Sequence, residues 1–237
     1  LKLLSVAFTG VDHIDMEACK KQGVTVCNCA GYSTCAVADL VFGLLIGLYR
    51  NLISCDSVCR REGTKDGLVG FELEGKTFGV IGTGAIGLRV AKIAKAFGCR
   101  VLAYSRTVKE LPGITYVDMD RLLEESDIIS LHVPLNDKTR GMIGAKEIGK
   151  MKKTAVLINT ARGPIVDSKA LAEALKEGRL AGAGVDVFEQ EPPVFSAPNT
   201  IVTPHAAFAT KEAMVKRAVT VFENVDFYLK GTPRNVM

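Results

Sequence analysis

The six residues Gly82-Thr83-Gly84-Ala85-Ile86-Gly87 follow an apolar run over residues 77–81 and open a helical pattern. Set between a strand and a helix, three glycines at this spacing form a phosphate cradle. The first makes the tight turn, the second lets backbone come close to a pyrophosphate, and the third lets the helix pack on the strand. Ala85 and Ile86 begin that helix, whose free N–H groups and positive dipole end favour an anion. The plainer reading is a glycine-rich strand-to-helix turn without a ligand. The next apolar strand ends in Tyr104-Ser105-Arg106-Thr107, where an NAD-binding unit normally places an acidic residue for the ribose 2′-hydroxyl. A carboxylate would repel a 2′-phosphate, whereas a guanidinium and two hydroxyls can bind it by charge-assisted hydrogen bonds. The expected cofactor is therefore NADP, with NAD as the alternative if Arg106 is a solvated loop residue.

Three later segments end apolar runs with polar groups, the place where open α/β sheets bind ligands. They contain Asn159-Thr160-Ala161-Arg162, Asp186 with Glu191 shortly after it, and Thr203-Pro204-His205-Ala206-Ala207. Together with the glycine cradle, Leu131-His132-Val133-Pro134-Leu135 and Thr139-Arg140-Gly141-Met142-Ile143, they resemble the D-isomer-specific 2-hydroxyacid dehydrogenases over nearly the whole chain. The Tyr104-Ser105-Arg106-Thr107 ending is similar to the NADPH-preferring glyoxylate and hydroxypyruvate reductases of that family.

The resemblance implies a set of roles for the reduction of a small 2-oxo acid. His205 becomes the general acid, because imidazole exchanges a proton near neutrality. Glu191 orients the ring through its other nitrogen and favours the imidazolium. Arg162 binds the substrate carboxylate and polarises the carbonyl, a task suited to its planar fork of donors. Thr9 and Gly10, in Phe8-Thr9-Gly10-Val11-Asp12, supply a loop whose backbone N–H groups also hold that carboxylate. Asp186 accepts from the nicotinamide carboxamide. The implied cofactor contacts are Gly82, Gly84, Ala85, Ile86, Gly87, Ser105, Arg106, Thr107, His132, Val133, Pro134, Thr139, Thr160, Ala161, Asp186, His205 and Ala207. A homodimer is the family's default. Relatives generally carry a further N-terminal portion of the substrate domain, and this chain opens at one of that domain's last strands, so upstream residues are expected to be missing. An alternative of another class is a non-catalytic dinucleotide-binding or corepressor-like module, or an inactive fragment.

Short apolar runs and helical stretches must position these residues. Strands are expected at 3–8, 24–28, 77–81, 100–105, 128–133, 155–159, 182–187 and 201–203. Helices are expected at 15–22, 34–50, 85–97, 120–125, 146–151, 168–176 and 210–230. Such alternation gives parallel strands joined by right-handed crossovers, with helices on both faces. The fold class is α/β, a doubly wound parallel sheet of Rossmann type over residues 32–207. By the resemblance, a partial flavodoxin-like substrate domain comes from residues 1–31 and 208–237.

Composition removes several other classes. With 237 residues, 48% of them hydrophobic, the chain has ample material for a core. A net charge of +4 is too small and dispersed for a nucleic-acid binder. The longest apolar run, residues 40–49, is about half of what a bilayer span needs, so no membrane partner is expected, nor a signal peptide in the first residues. All seven cysteines precede residue 100; their odd number in a chain of this size fits a reducing cytoplasm. Cys27, Cys29 and Cys35 lack a second ligand pair at zinc spacing, so no metal is expected.

Overall fold

Every residue of the runs Thr77–Ile81, Ile128–Leu131, Val156–Asn159 and Gly182–Val185 is buried, as parallel strands covered by helices on both faces require. The computed structural model describes residues 1–188 and 193–237. In chain order its elements are β1 (Leu3–Ser5), α1 (Met16–Lys21), β2 (Thr25–Cys27), α2 (Thr34–Tyr49), α3 (Leu52–Cys59), β3 (Thr77–Ile81) and α4 (Ala85–Ala96). There follow β4 (Arg100–Tyr104), β5 (Ile114–Tyr116), α5 (Met119–Glu125), β6 (Ile128–Leu131), α6 (Ala145–Lys150) and β7 (Val156–Asn159). The last are α7 (Ser168–Lys176), β8 (Gly182–Val185), β9 (Thr200–Val202) and α8 (Lys211–Leu229), with 3-10 turns at Gly163–Ile165 and Pro193–Ser196. The chain divides into two compact units, residues 37–206 and a terminal unit of residues 1–36 with 207–237.

In the central unit seven parallel strands lie in the order β5-β4-β3-β6-β7-β8-β9. Alternate side chains of each strand enter different cores. Phe78, Val80, Ile128, Val156 and Ile158 join α2 and α4 in one. Ile81, Ile129, Leu131 and Leu157 join α5, α6 and α7 in the other. At the amino ends of the strands, Asp127 ties β3 to β6: Thr77 N donates to Oδ2 at 2.9 Å and Lys152 Nζ to Oδ1 at 2.9 Å. Burial opposes the charge on Asp127, but these two donors outweigh it and hold the carboxyl below its usual pKa.

In the terminal unit β1 pairs with β2 in parallel, and α8 joins them through polar groups. Ser5 Oγ donates to Val221 O at 3.0 Å, and the fully buried Asn224 donates Nδ2 to Asn28 O at 2.9 Å. Asn235 Nδ2 in turn donates to Asn224 Oδ1 at 2.9 Å. The Arg217 guanidinium lies over the rings of Phe8 and Phe208, 5.3 and 5.8 Å from their centroids.

Two elements lie outside the sequence expectations, α3 and β5. No residue of α3 is buried, so its sequence has no apolar period to reveal it. β5 is a three-residue edge strand on β4, too short for an alternation to register. No single helix among the described residues is long and apolar enough to cross a membrane.

Candidate active site

The strand order reverses between β3 and β6, which opens a crevice at their carboxyl ends. The glycine turn sits at that point. Gly82 has φ +97°, open to glycine but strained for other residues, and a Cβ there would stand 2.6 Å from His132 O. A Cβ on Gly87 would stand 1.9 Å from Gly82 O, so α4 packs on the turn only with glycine at this position. Gly84 differs from both. A Cβ there meets nothing within 4 Å, and as N-cap of α4 it makes no side-chain cap bond. Ala85 and Ile86 therefore begin a helix whose N–H groups face an open approach, an arrangement able to take a phosphate.

The loop after β4 carries Ser105, Arg106 and Thr107, the last two exposed. A contact unforeseen from the sequence links this loop to the glycine turn: Lys109 Nζ donates to Thr83 O at 3.0 Å. Tyr116 OH of β5 donates to Thr83 Oγ1 at 3.0 Å. Both partners lie in stretches without periodicity, and one acceptor is a backbone carbonyl, so residue spacing gave no signal of either bond.

After β6, His132 Nε2 lies 2.9 Å from Oγ of the fully buried Ser130. Burial of the ring pushes its pKa down to about 3, which keeps it neutral near neutrality. Val133 and Pro134 follow it. Thr139 is turned inward: its hydroxyl donates to Pro134 O at 2.6 Å and accepts from Asn136 N at 2.9 Å, and so closes the turn.

After β7, the buried Asn159 brackets the next loop. Its Nδ2 donates to Arg162 O at 3.0 Å and its Oδ1 accepts from Ala161 N at 3.0 Å. Arg162 caps the 3-10 turn Gly163–Ile165, and its Nη1 donates to Ala161 O at 2.8 Å. Among the described residues Thr160 Oγ1 is buried without a hydrogen-bond partner, an orphaned hydroxyl at the crevice end of the strand that a polar ligand group would satisfy.

After β8, Asp186 is fully buried, and its Oδ1 accepts from Thr203 Oγ1 at 2.6 Å and from Ala206 N at 2.8 Å. Its carbonyl accepts from His205 N at 2.7 Å. This clamp holds His205, exposed and at φ +53°, just beyond β9. A left-handed non-glycine residue is uncommon and persists where the surroundings impose it. Arg162 and His205 thus leave strands two sheet spacings apart, about 10 Å, a span on the scale of a small acid.

Glu191 lies outside the described residues. Thr9, Gly10 and Ala207 belong to the terminal unit. There Asn28 Nδ2 donates to Thr9 O at 2.8 Å and Thr9 Oγ1 to Cys29 O at 3.4 Å, so the Thr9–Gly10 loop is tied to the segment after β2. Among the described residues no group of three or more His, Cys, Asp or Glu side chains could hold a metal ion. A separate cleft of about 570 Å³ lies at the opposite, amino ends of the strands, between Tyr49, Ile53, Phe71, Lys76 and Ile201.

Comparison with known proteins agrees with this geometry. The family model described as "D-isomer specific 2-hydroxyacid dehydrogenase, NAD binding domain" matches residues 42–207. A glyoxylate reductase of Thermococcus litoralis is 44% identical over 247 residues, 98% of this chain and 75% of that protein. Among solved structures, an acyclic imino acid reductase, Bsp5, in complex with NADPH and D-Arg superposes with a TM-score of 0.96 at 38% identity, over 100% of this chain and 78% of that one. A D-lactate dehydrogenase from Aquifex aeolicus, complexed with NAD and lactic acid, gives a TM-score of 0.90 at 36% identity, over 98% and 77%. With the glycine turn at the point of strand reversal and polar residues at the strand ends beyond it, the chain belongs to the D-isomer-specific 2-hydroxyacid dehydrogenase family of oxidoreductases.

Proposed function

We propose that the chain is an NADPH-linked reductase of small 2-oxo acids, of the glyoxylate or hydroxypyruvate class. The observation that supports this most is the convergence of the glycine turn, Arg162 and His205 on the carboxyl ends of one sheet. When bound, the nicotinamide supplies the hydride. The N–H groups at the start of α4, with Gly82, Gly84, Ala85, Ile86 and Gly87, hold the pyrophosphate. Ser105, Arg106 and Thr107 hold the 2′-phosphate; NADH lacks that group and is the weaker cofactor. His132, Val133, Pro134 and Thr139 form the wall after β6, with Thr139 acting through the turn it closes. Thr160, Ala161, Asp186 and Ala207 complete the nicotinamide end.

Arg162 binds the substrate carboxylate and draws electron density from the carbonyl, with the backbone of Thr9 and Gly10 as further donors. His205 gives its proton to the carbonyl oxygen as the alcohol forms, and Glu191 orients its ring. In this reading residues 1–31 and 208–237 are part of a substrate domain, and 32–207 form the cofactor domain. The exposed side chains of Leu52, Ile53, Val69 and Phe71 fit a homodimer interface, which sedimentation would test. The seven free thiols fit a reducing cytoplasm.

The test is NADPH oxidation, followed by ultraviolet absorbance, with glyoxylate, hydroxypyruvate and pyruvate as substrates. Turnover of one of them, lost by about a hundredfold or more in His205→Gln with NADPH binding retained, is the expected result. NADPH binding without turnover of any of the three would favour a cofactor-binding module instead.

A further inference from the structure

Lys109 touches the glycine turn and has no part in the roles above. Its Nζ bonds Thr83 O at 3.0 Å, between Gly82 and Gly84. The position is held from both sides, because Thr83 is buried and its hydroxyl accepts from Tyr116 OH. Arg106 leaves the same strand end two residues after Tyr104, which pairs with Ile81 directly before the turn. Two cations of one loop thus border the carboxyl ends of β3 and β4, where a dinucleotide on the glycine turn places its adenosine ribose.

We infer that Lys109 is a specificity-determining residue, a second cation for the ribose 2′-phosphate of NADPH beside Arg106. The inference rests on the NADPH reading above. A phosphate monoester carries a charge of about −1.5 to −2 near neutrality, and Arg106 offsets only one of these charges. The bond to Thr83 uses one of the three donors of an ammonium; the same ammonium can turn others toward a phosphate oxygen. A ribose 2′-hydroxyl is neutral and offers the ammonium's remaining donors no charge to bind. The lysine therefore separates the two cofactors by charge, while its tether keeps it from being dispersed in solvent.

The experiment compares the binding of adenosine 2′,5′-bisphosphate with that of adenosine 5′-monophosphate to the intact chain by calorimetry. The ratio of the two affinities isolates the 2′-phosphate and needs no turnover. The wild-type chain is expected to prefer the bisphosphate. Lys109→Met is expected to lower that ratio about tenfold, and Lys109→Arg to keep most of it. If the wild-type ratio is above one and Lys109→Met leaves it unchanged, the lysine is only a tether and the inference fails while the NADPH reading stands. A wild-type ratio near one overturns the NADPH reading, and the inference with it.

Discussion

His132 shows how one half-buried ring shapes the pH response. Its pKa in the folded chain is about 3, against about 6.5 for an exposed imidazole. Above pH ~6.5 the ring is neutral in both states and contributes no pH dependence. As the pH falls below that value the unfolded chain takes up a proton that the folded chain refuses. Stability is then lost at up to about 1.4 kcal/mol per pH unit until the folded pKa is reached. His132→Gln removes this contribution, so its urea midpoint is expected to fall less steeply than the wild type's between neutrality and about pH 4. Equal slopes would place the imidazole in water. Asp127 acts over a lower range: its depressed pKa gives stability that is present above about pH 4 and lost on further acidification.

The turn between β3 and α4 separates glycines that the packing requires from one, Gly84, that stands in open space. Gly87→Ala drives a methyl group against backbone, at 1.9 Å from Gly82 O, and is expected to cost about 3 kcal/mol or more of unfolding free energy. At Gly84 the φ of −70° suits alanine and the space is open. Gly84→Ala is therefore expected to change stability by less than about 1 kcal/mol while weakening NADPH binding, because its methyl occupies the phosphate's approach. Chemical unfolding and cofactor titration on the two variants check both halves. The glycine spacing made this unit legible in the sequence, and the four strands with every residue buried were legible as short, mainly apolar runs, broken only by Thr77, Ser130 and Asn159. Asp186 and His205 were legible as residues, but their clamp was not, because it joins segments brought together only by the pairing of β8 with β9. Lys109 escaped for a similar reason, since its partner is a main-chain oxygen that no residue type marks.

At the scale of the whole molecule, the central unit buries both faces of its sheet, whereas α8 leaves a row of apolar side chains in solvent. Val215, Val219, Phe222 and Leu229 are 64, 49, 74 and 78% exposed. Phe222→Gln is accordingly expected to alter unfolding free energy by less than about 0.5 kcal/mol, measured by urea titration. A larger loss would mean that the ring is covered in solution. The terminal unit also has a consequence for the order in which the protein is made. Ser5 and Val221 lie 216 residues apart and share a hydrogen bond, and Asn224 reaches back to Asn28 across 196 residues. During synthesis the bonds from α8 to Ser5 and Asn28 form only after the whole central sheet has been translated. That sheet draws its strands from a contiguous stretch of chain and can fold as it emerges, as domains generally do. Ribosome-stalled chains ending before α8 should therefore contain a protease-resistant central unit.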